Sequence, residues 1–152
     1  MISLLAWMVL IFCFSAQDAT ASSKTSGTVV QKLCETFYPK FGDISGEKQA
    51  TIISSFQFIA RKSAHFLIYV VLGNLSLLAV ISYKRLKFSV RPLIAAAICL
   101  IYAASDEFHQ YFVPGRSCEL RDMCIDFSGA VTGILLLLLI IRLIKPLRTY
   151  FE

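Results

Sequence analysis

The sequence predicts an all-α membrane protein: one domain, a bundle of four transmembrane helices with both termini cytoplasmic. Three observations carry this prediction. The chain is 57% hydrophobic and only 16% charged, where an average soluble domain is about 25% charged, and its mean hydropathy is +0.68. Apolar runs alternate with polar stretches, and one of them, 134–141, is unbroken. Charge is unevenly spread, with bases gathered in some connections and acids in another.

The first helix is expected at about 1–16. At 1.5 Å per residue it spans about 24 Å, a little short of a hydrocarbon core of about 30 Å. Ala19-Thr20-Ala21 has the small-x-small form of a signal-peptide cleavage site, which leaves a cleaved leader as the alternative. The start carries no Lys or Arg, which favours a retained helix. The polar stretch 17–58 reads as an extracytoplasmic loop. Its apolar cluster, Leu33, Phe37, Tyr38 and Phe41, would suit a short amphipathic helix on the membrane surface.

The second helix is expected at about 62–82, with helical patterning already from 52. The third falls at about 92–109 and the fourth at about 124–142. Between the second and third stand Lys84, Arg85, Lys87 and Arg91 with no acid. The tail adds Arg142, Lys145 and Arg148 against Glu152. The connection 106–126 instead carries Asp106, Glu107, Glu119, Asp122 and Asp126 against Arg116 and Arg121. Lys and Arg concentrate on the cytoplasmic side. Both termini and 82–91 are therefore expected inside, and 17–58 and 106–126 outside.

The net charge of +5 is read as topology. No nucleic-acid motif accompanies it, so no nucleic-acid partner is expected. The five cysteines are Cys13, Cys34, Cys99, Cys118 and Cys124, an odd number that cannot all pair within one chain. Cys118 and Cys124 could close a small disulfide loop or remain free thiols; their spacing matches no zinc knuckle.

Three polar stripes share the outer end. On the second helix Lys62, His65, Tyr69, Gly73 and Ser76 recur at steps of three and four, hence on one face. On the third, Asp106, His109 and Gln110 do the same, with Glu107 about 100° away. On the fourth, Asp122 and Asp126 continue into Gly129 and Gly133, a GxxxG pattern suited to close helix packing. A charge facing lipid is costly, so the stripes should turn toward one another and form a polar site. Pro114-Gly115 marks a turn that would fix Arg116 above this site. Arg116 could grip a ligand carboxylate or phosphate through two parallel hydrogen bonds, or pair with Asp106, Glu107 or Asp122. His65, Asp106, Glu107 and His109 are the candidates for proton transfer. Lys62, Tyr69, Gln110, Arg116, Asp122 and Asp126 are the candidate ligand-binding residues. His65 and His109 with an acid could in principle hold a metal, but no HExxH-type signature is present. No metal, cofactor, phosphate-binding loop or known nucleophile motif is expected.

These residues resemble a known family. Lys62-x-x-His65-Phe66-x-x-Tyr69, Asp106-Glu107-x-His109-Gln110-x-Phe112-x-Pro114-Gly115-Arg116 and Asp122-x-x-x-Asp126-x-x-Gly129-x-x-x-Gly133 are similar to motifs of the VanZ-like membrane proteins. Phe14-Ser15-Ala16-Gln17 resembles that family's motif at the end of the first helix, which again favours a retained helix. The chain departs from the pattern at Ile68, where many relatives carry an acid. The resemblance implies an integral protein of the bacterial plasma membrane and envelope. The family is named for a member associated with low-level resistance to the glycopeptide teicoplanin.

Three functions compete. The first is an envelope protein that binds, and in one version modifies, an amphiphile such as a lipid-linked wall precursor or a lipoglycopeptide. Lys62 and Arg116 would hold its anionic groups, with membrane lipids as general partners. The second is a structural or accessory protein whose polar cluster only locks the helices. The third is a small proton-coupled transporter, which with four helices would need to oligomerise. Whether the protein is an enzyme, and its oligomeric state, stay open at this level.

Overall fold

The computed structural model describes residues 1–83 and 85–144. Lys84 of the basic loop, and Lys145, Arg148 and Glu152 of the tail, lie outside the described residues. Within them all regular structure is helical: α1 (Ile2–Ser15), α2 (Ala19–Phe37), a 3-10 turn (Phe41–Asp43), α3 (Gly46–Ile81), α4 (Arg91–Gln110) and α5 (Leu120–Leu143).

α1 has 14 residues, none charged. It ends where Ser15, Gln17 and Asp18 interrupt the apolar run. Asp18 then starts α2: its carboxylate accepts from the Ala21 backbone N–H at 2.7 Å and from the Thr20 hydroxyl at 2.6 Å. This is N-capping, and the same bonds hold the Asp18 carboxyl below its ordinary range. α2 leaves α1 at 102°.

The stretch 17–58, expected as a loop, is therefore mostly helix. Its Ser and Thr residues favour loops because they offer the backbone competing hydrogen bonds. Here they bond within the helix, to carbonyls four residues back: Thr25 to Ala21, Ser26 to Ser22, Thr28 to Lys24 and Thr36 to Lys32. Tertiary contact adds to this, as Gln57 of α3 donates to the Ser23 carbonyl at 2.6 Å. α3 likewise begins at Gly46 rather than near 62, and its 36 residues rise about 54 Å. That exceeds a hydrocarbon core of about 30 Å, so one end of α3 extends past any membrane core.

α4 starts with proline in its first turn, where the missing N–H costs nothing. α3 runs antiparallel to α4, since Tyr69 meets Asp106 near one end and Ser76 meets Cys99 further along. α3 and α5 run parallel, with Lys62 beside Asp122 and Val70 beside Gly133. α1 is fixed by two ring donors: Trp7 Nε1 to the Ile68 carbonyl at 3.0 Å and the Tyr102 hydroxyl to the Met8 carbonyl at 2.6 Å. The result is an up-down-up-down order of α1, α3, α4 and α5. Met1 meets Tyr83 at the end of α3, and Ile141 packs with Val80 and Ile81. The chain start and the end of α5 thus lie at the same end of the bundle.

One core gathers Leu4, Ile11, Tyr69, Leu72, Cys99, Ala103 and Ala130. A second gathers Leu77, Val80, Ile81, Ala95, Ile134 and Ile141. The outer surface is apolar, with Leu5 and Val9 on α1, Leu67 on α3, Ile101 on α4 and Leu135 on α5 all exposed. Among the described residues, α3 and α5 are each long and apolar enough to cross a membrane. α1 and α2 together form a third span if the bent pair counts as one. α1 alone is short, and α4 carries Arg91, Asp106 and Glu107 near its ends. By length and composition the structure therefore holds two to three spans.

Candidate functional site

The site is built from the middle of α3 and the first turns of α5. Steps of three and four put Lys62, His65 and Tyr69 on one face of α3. Lys62 Nζ pairs with Asp122 Oδ2, and one turn deeper His65 Nδ1 lies 3.7 Å from Asp126 Oδ1. Below these, the two backbones almost touch. Gly129 lies against the Phe66 carbonyl, Gly133 against the Val70 carbonyl, and Gly73 of α3 against the Ala130 carbonyl. A Cβ at any of the three would sit inside van der Waals contact of a backbone atom. That close approach brings the charged turns of the two helices within reach.

α4 contributes Asp106, 3% exposed. Its Oδ2 accepts from Ser15 Oγ at 2.8 Å, from the Tyr69 hydroxyl at 3.3 Å and from Gln110 Nε2 at 3.3 Å. One carboxylate thus ties α1, α3 and α4 together. Its Oδ1 is buried without a hydrogen-bond partner, as are Asp126 Oδ2 and Asp122 Oδ1, the last of which lies 4.0 Å from Arg121 Nε. Gln110 also accepts from Arg116 Nη1 at 3.0 Å, and Arg116 Nε donates to the Gln17 carbonyl at 2.9 Å. The turn before Arg116 requires its glycine, as Gly115 has φ +74°, in the left-handed region. Arg116 is only partly exposed. Burial lowers its pKa from the usual guanidinium value, and repulsion from Arg61 acts in the same direction; the group stays a cation. Among the described residues no carboxylate lies within ion-pair distance of Arg116. Its partners are neutral, in place of the acids Asp106, Glu107 or Asp122.

The sequence candidates do not form one cluster. Lys62, His65, Gln110, Arg116, Asp122 and Asp126 line an open cavity of about 230 Å³. Asp106 and Tyr69 lie behind it, linked through Gln110. Glu107 points to the start of α5, where it accepts from the Glu119 backbone N–H at 3.0 Å. His109 turns to α1 and stacks on Phe12, ring centroids 4.3 Å apart at 30°, with Nε2 buried and unpartnered. Positions 109 and 110 lie to either side of Asp106 around the helix, about 100° apart. Gln110 therefore reaches the cavity and His109 does not. The grouping of His65 with His109 suggested by the stripes is absent. Among the described residues no three His, Cys, Asp or Glu side chains gather as a metal site. Cys118 and Cys124 are both exposed free thiols.

Several residues of the site escaped the stripe argument. Arg61 and Arg121 line the cavity. Each adjoins a stripe residue, Lys62 or Asp122, and so fell about 100° off the stripe. Arg121 lies over the Phe58 ring, 5.4 Å from its centroid, and bonds Glu119 at 3.2 Å. Ser15 and Gln17 come from α1 and its end; only the Phe14-Ser15-Ala16-Gln17 motif pointed to them.

A family model described as VanZ/LLP1 matches residues 1–142. The chain belongs to the VanZ/LLP1 family. No curated protein and no solved structure matches it. The VanZ/LLP1 match runs from α1 through nearly all of α5. It therefore contains the Ser15 end of α1, the Asp106 hub, the Arg116 turn and the glycine contact. With apolar helices that suit a membrane, the chain is a VanZ/LLP1 membrane protein.

Proposed function

We propose that this VanZ/LLP1 protein is an integral protein of the bacterial envelope membrane that binds the head of an amphiphilic envelope lipid or glycopeptide. α1, α3, α4 and α5 all cross the membrane, both termini are cytoplasmic, and the cavity opens on the extracytoplasmic side. The up-down-up-down order supports this arrangement. So does the placement of Arg85, Lys87 and Arg91 between α3 and α4, at the end of the bundle away from the cavity. The observation that carries the binding proposal is a pair of cations. Arg61 and Arg116 face the same cavity and repel each other, and among the described residues neither has a carboxylate in ion-pair range. Guanidinium groups so placed suit a phosphate or carboxylate. The family's association with teicoplanin supports a role in glycopeptide resistance.

The second reading is a structural lock, favoured by Asp106 accepting from three helices. Arg116→Lys separates the two. Lysine keeps the charge but loses the planar fork. A binding role predicts a folded variant whose affinity for an anionic envelope lipid falls on the order of ten- to a hundredfold. Resistance to a glycopeptide should fall with it at equal protein level. Unchanged lipid affinity in a folded Arg116→Lys variant would remove Arg116 from the ligand site and favour the lock.

A further inference from the structure

The cavity's charges can be balanced one by one. Lys62 is used by Asp122, and Arg121 by Glu119. What remains, among the described residues, is Asp126 together with Arg61 and Arg116, neither of which has a carboxylate in ion-pair range, although Asp106, Glu107 and Asp122 attract Arg116 from further off. Asp126 is 1% exposed, lines the cavity, and keeps Oδ2 buried with no hydrogen-bond partner. Among the described residues its one neighbour within ion-pair range is the His65 imidazole, at 3.7 Å from the other oxygen. The cavity thus has two guanidinium groups for an anion and, in its lining, a deeply buried carboxylate with one oxygen that lacks a donor. A purely anionic head would leave that oxygen unmatched, at the cost of a buried unsatisfied acceptor.

A second feature says what the head is attached to. A shallow groove leaves the cavity along the outside of α3, lined by Ser63, Phe66, Leu67 and Ile125, and shares Lys62 and Ile125 with it. The exposed lining of this groove is mostly apolar, and Leu67 is well exposed on the surface that faces lipid. A cavity of about 230 Å³ is smaller than the roughly 300–1,000 Å³ of sites for drug-sized ligands. It suits a head group whose chain lies elsewhere.

We infer that the cavity binds a zwitterionic phospholipid head, with its phosphate on Arg61 and Arg116, its primary ammonium on Asp126, and an acyl chain along the Phe66–Leu67–Ile125 groove. This rests on the reading of the cavity as an amphiphile site and names the class of amphiphile. The ammonium supplies the N–H donors that Asp126 Oδ2 lacks. Lys62, paired with Asp122 between cavity and groove, sits where head meets chain and can also meet a phosphate.

The test uses the full-length protein, delipidated in detergent and titrated by native mass spectrometry with four probes. These are phosphatidylethanolamine, phosphatidylcholine, phosphatidylglycerol and water-soluble phosphoethanolamine. Phosphatidylethanolamine should bind about tenfold or more tightly than phosphatidylglycerol, which has no amine, and than phosphatidylcholine, whose quaternary nitrogen has no N–H. Asp126→Asn should erase that preference, bringing phosphatidylethanolamine level with or below phosphatidylglycerol. Arg61→Gln should weaken all the lipids together. Phosphoethanolamine should bind more weakly than the intact lipid, because it leaves the groove empty. If that variant of Asp126 does not fold, the ratios on the parent protein still decide. Equal affinity for the three lipids overturns the ammonium subsite but leaves amphiphile binding in place. Phosphoethanolamine binding as tightly as the lipid overturns the groove and points to a soluble ligand. Binding of none of the probes overturns this inference together with the reading beneath it.

Discussion

Replacing Gly133 with alanine adds one methyl group at the closest of the glycine contacts between α3 and α5. That methyl would overlap the Val70 carbonyl oxygen, and would lie 2.9 Å from the Val70 carbonyl carbon and 3.0 Å from Asn74 Nδ2. The obstacle is helix backbone, which has no rotamer to escape into. The same carbonyl already accepts from Asn74 Nδ2 at 2.8 Å, so pushing it away disturbs a second bond. Overpacking of this kind costs about 1–3 kcal/mol, and a backbone obstacle argues for the upper end. Alanine gains about 1 kcal/mol over glycine in helix propensity. The net expectation is a loss of about 2 kcal/mol, or roughly 4–8 °C in thermal midpoint for a chain of this size. Gly133→Leu should lose more. Gly46→Ala is the control: nothing lies within 4 Å of its added carbon, so it should stay within about 0.5 kcal/mol of the parent. The assay is thermal unfolding of the purified protein in detergent. In a membrane, helix association relies on packing rather than on the hydrophobic effect, so no other force makes up for helices pushed apart here. If Gly133→Ala unfolds at or above the parent midpoint, α3 and α5 are not close-packed and the reasoning fails.

Asp106→Ala should be the most damaging single change at the site. It strands three buried donors, from Ser15, Tyr69 and Gln110, at about 1–3 kcal/mol each, and should appear as lost expression or early melting; a near-normal midpoint would show that the hub is dispensable. For sidedness, an impermeant thiol reagent should modify Cys118, which is exposed, in intact cells but not a cysteine placed at Lys87, and the reverse pattern would invert the proposed topology. Asp18 has a lowered folded pKa, so its cap acts fully above the unfolded carboxylate range and is lost as pH falls through the folded value. Helicity of α2 should therefore fray in acid, and Asp18→Asn should flatten that acid dependence when followed by circular dichroism.

Helical class and membrane character are legible in the sequence because they follow from local composition. Runs such as 134–141 bury nothing polar, and a helix satisfies its own backbone. The faces of α3 and α5 are legible for the same reason: steps of three and four place Lys62 with His65, and Asp122 with Asp126, whatever surrounds them. Local pattern failed at 17–58, where Ser and Thr favour loops until their hydroxyls bond back within α2 and Gln57 of α3 reaches Ser23. It also could not say which way α4 turns its polar residues. His109 and Gln110 stand three and four residues after Asp106, so both share its face by spacing. Only the position of α1 on one side and α5 on the other sends His109 to Phe12 and Gln110 to Arg116. Whether Arg116 meets an acid or a neutral group was likewise decided by tertiary structure, because one partner, Gln17, comes from just past the end of α1, 99 residues away, and the other, Gln110, is itself held by Asp106. Composition and periodicity determine what each helix must bury. Which charges are left unpaired depends on where neighbouring helices place their partners, and that is a property of the assembled bundle.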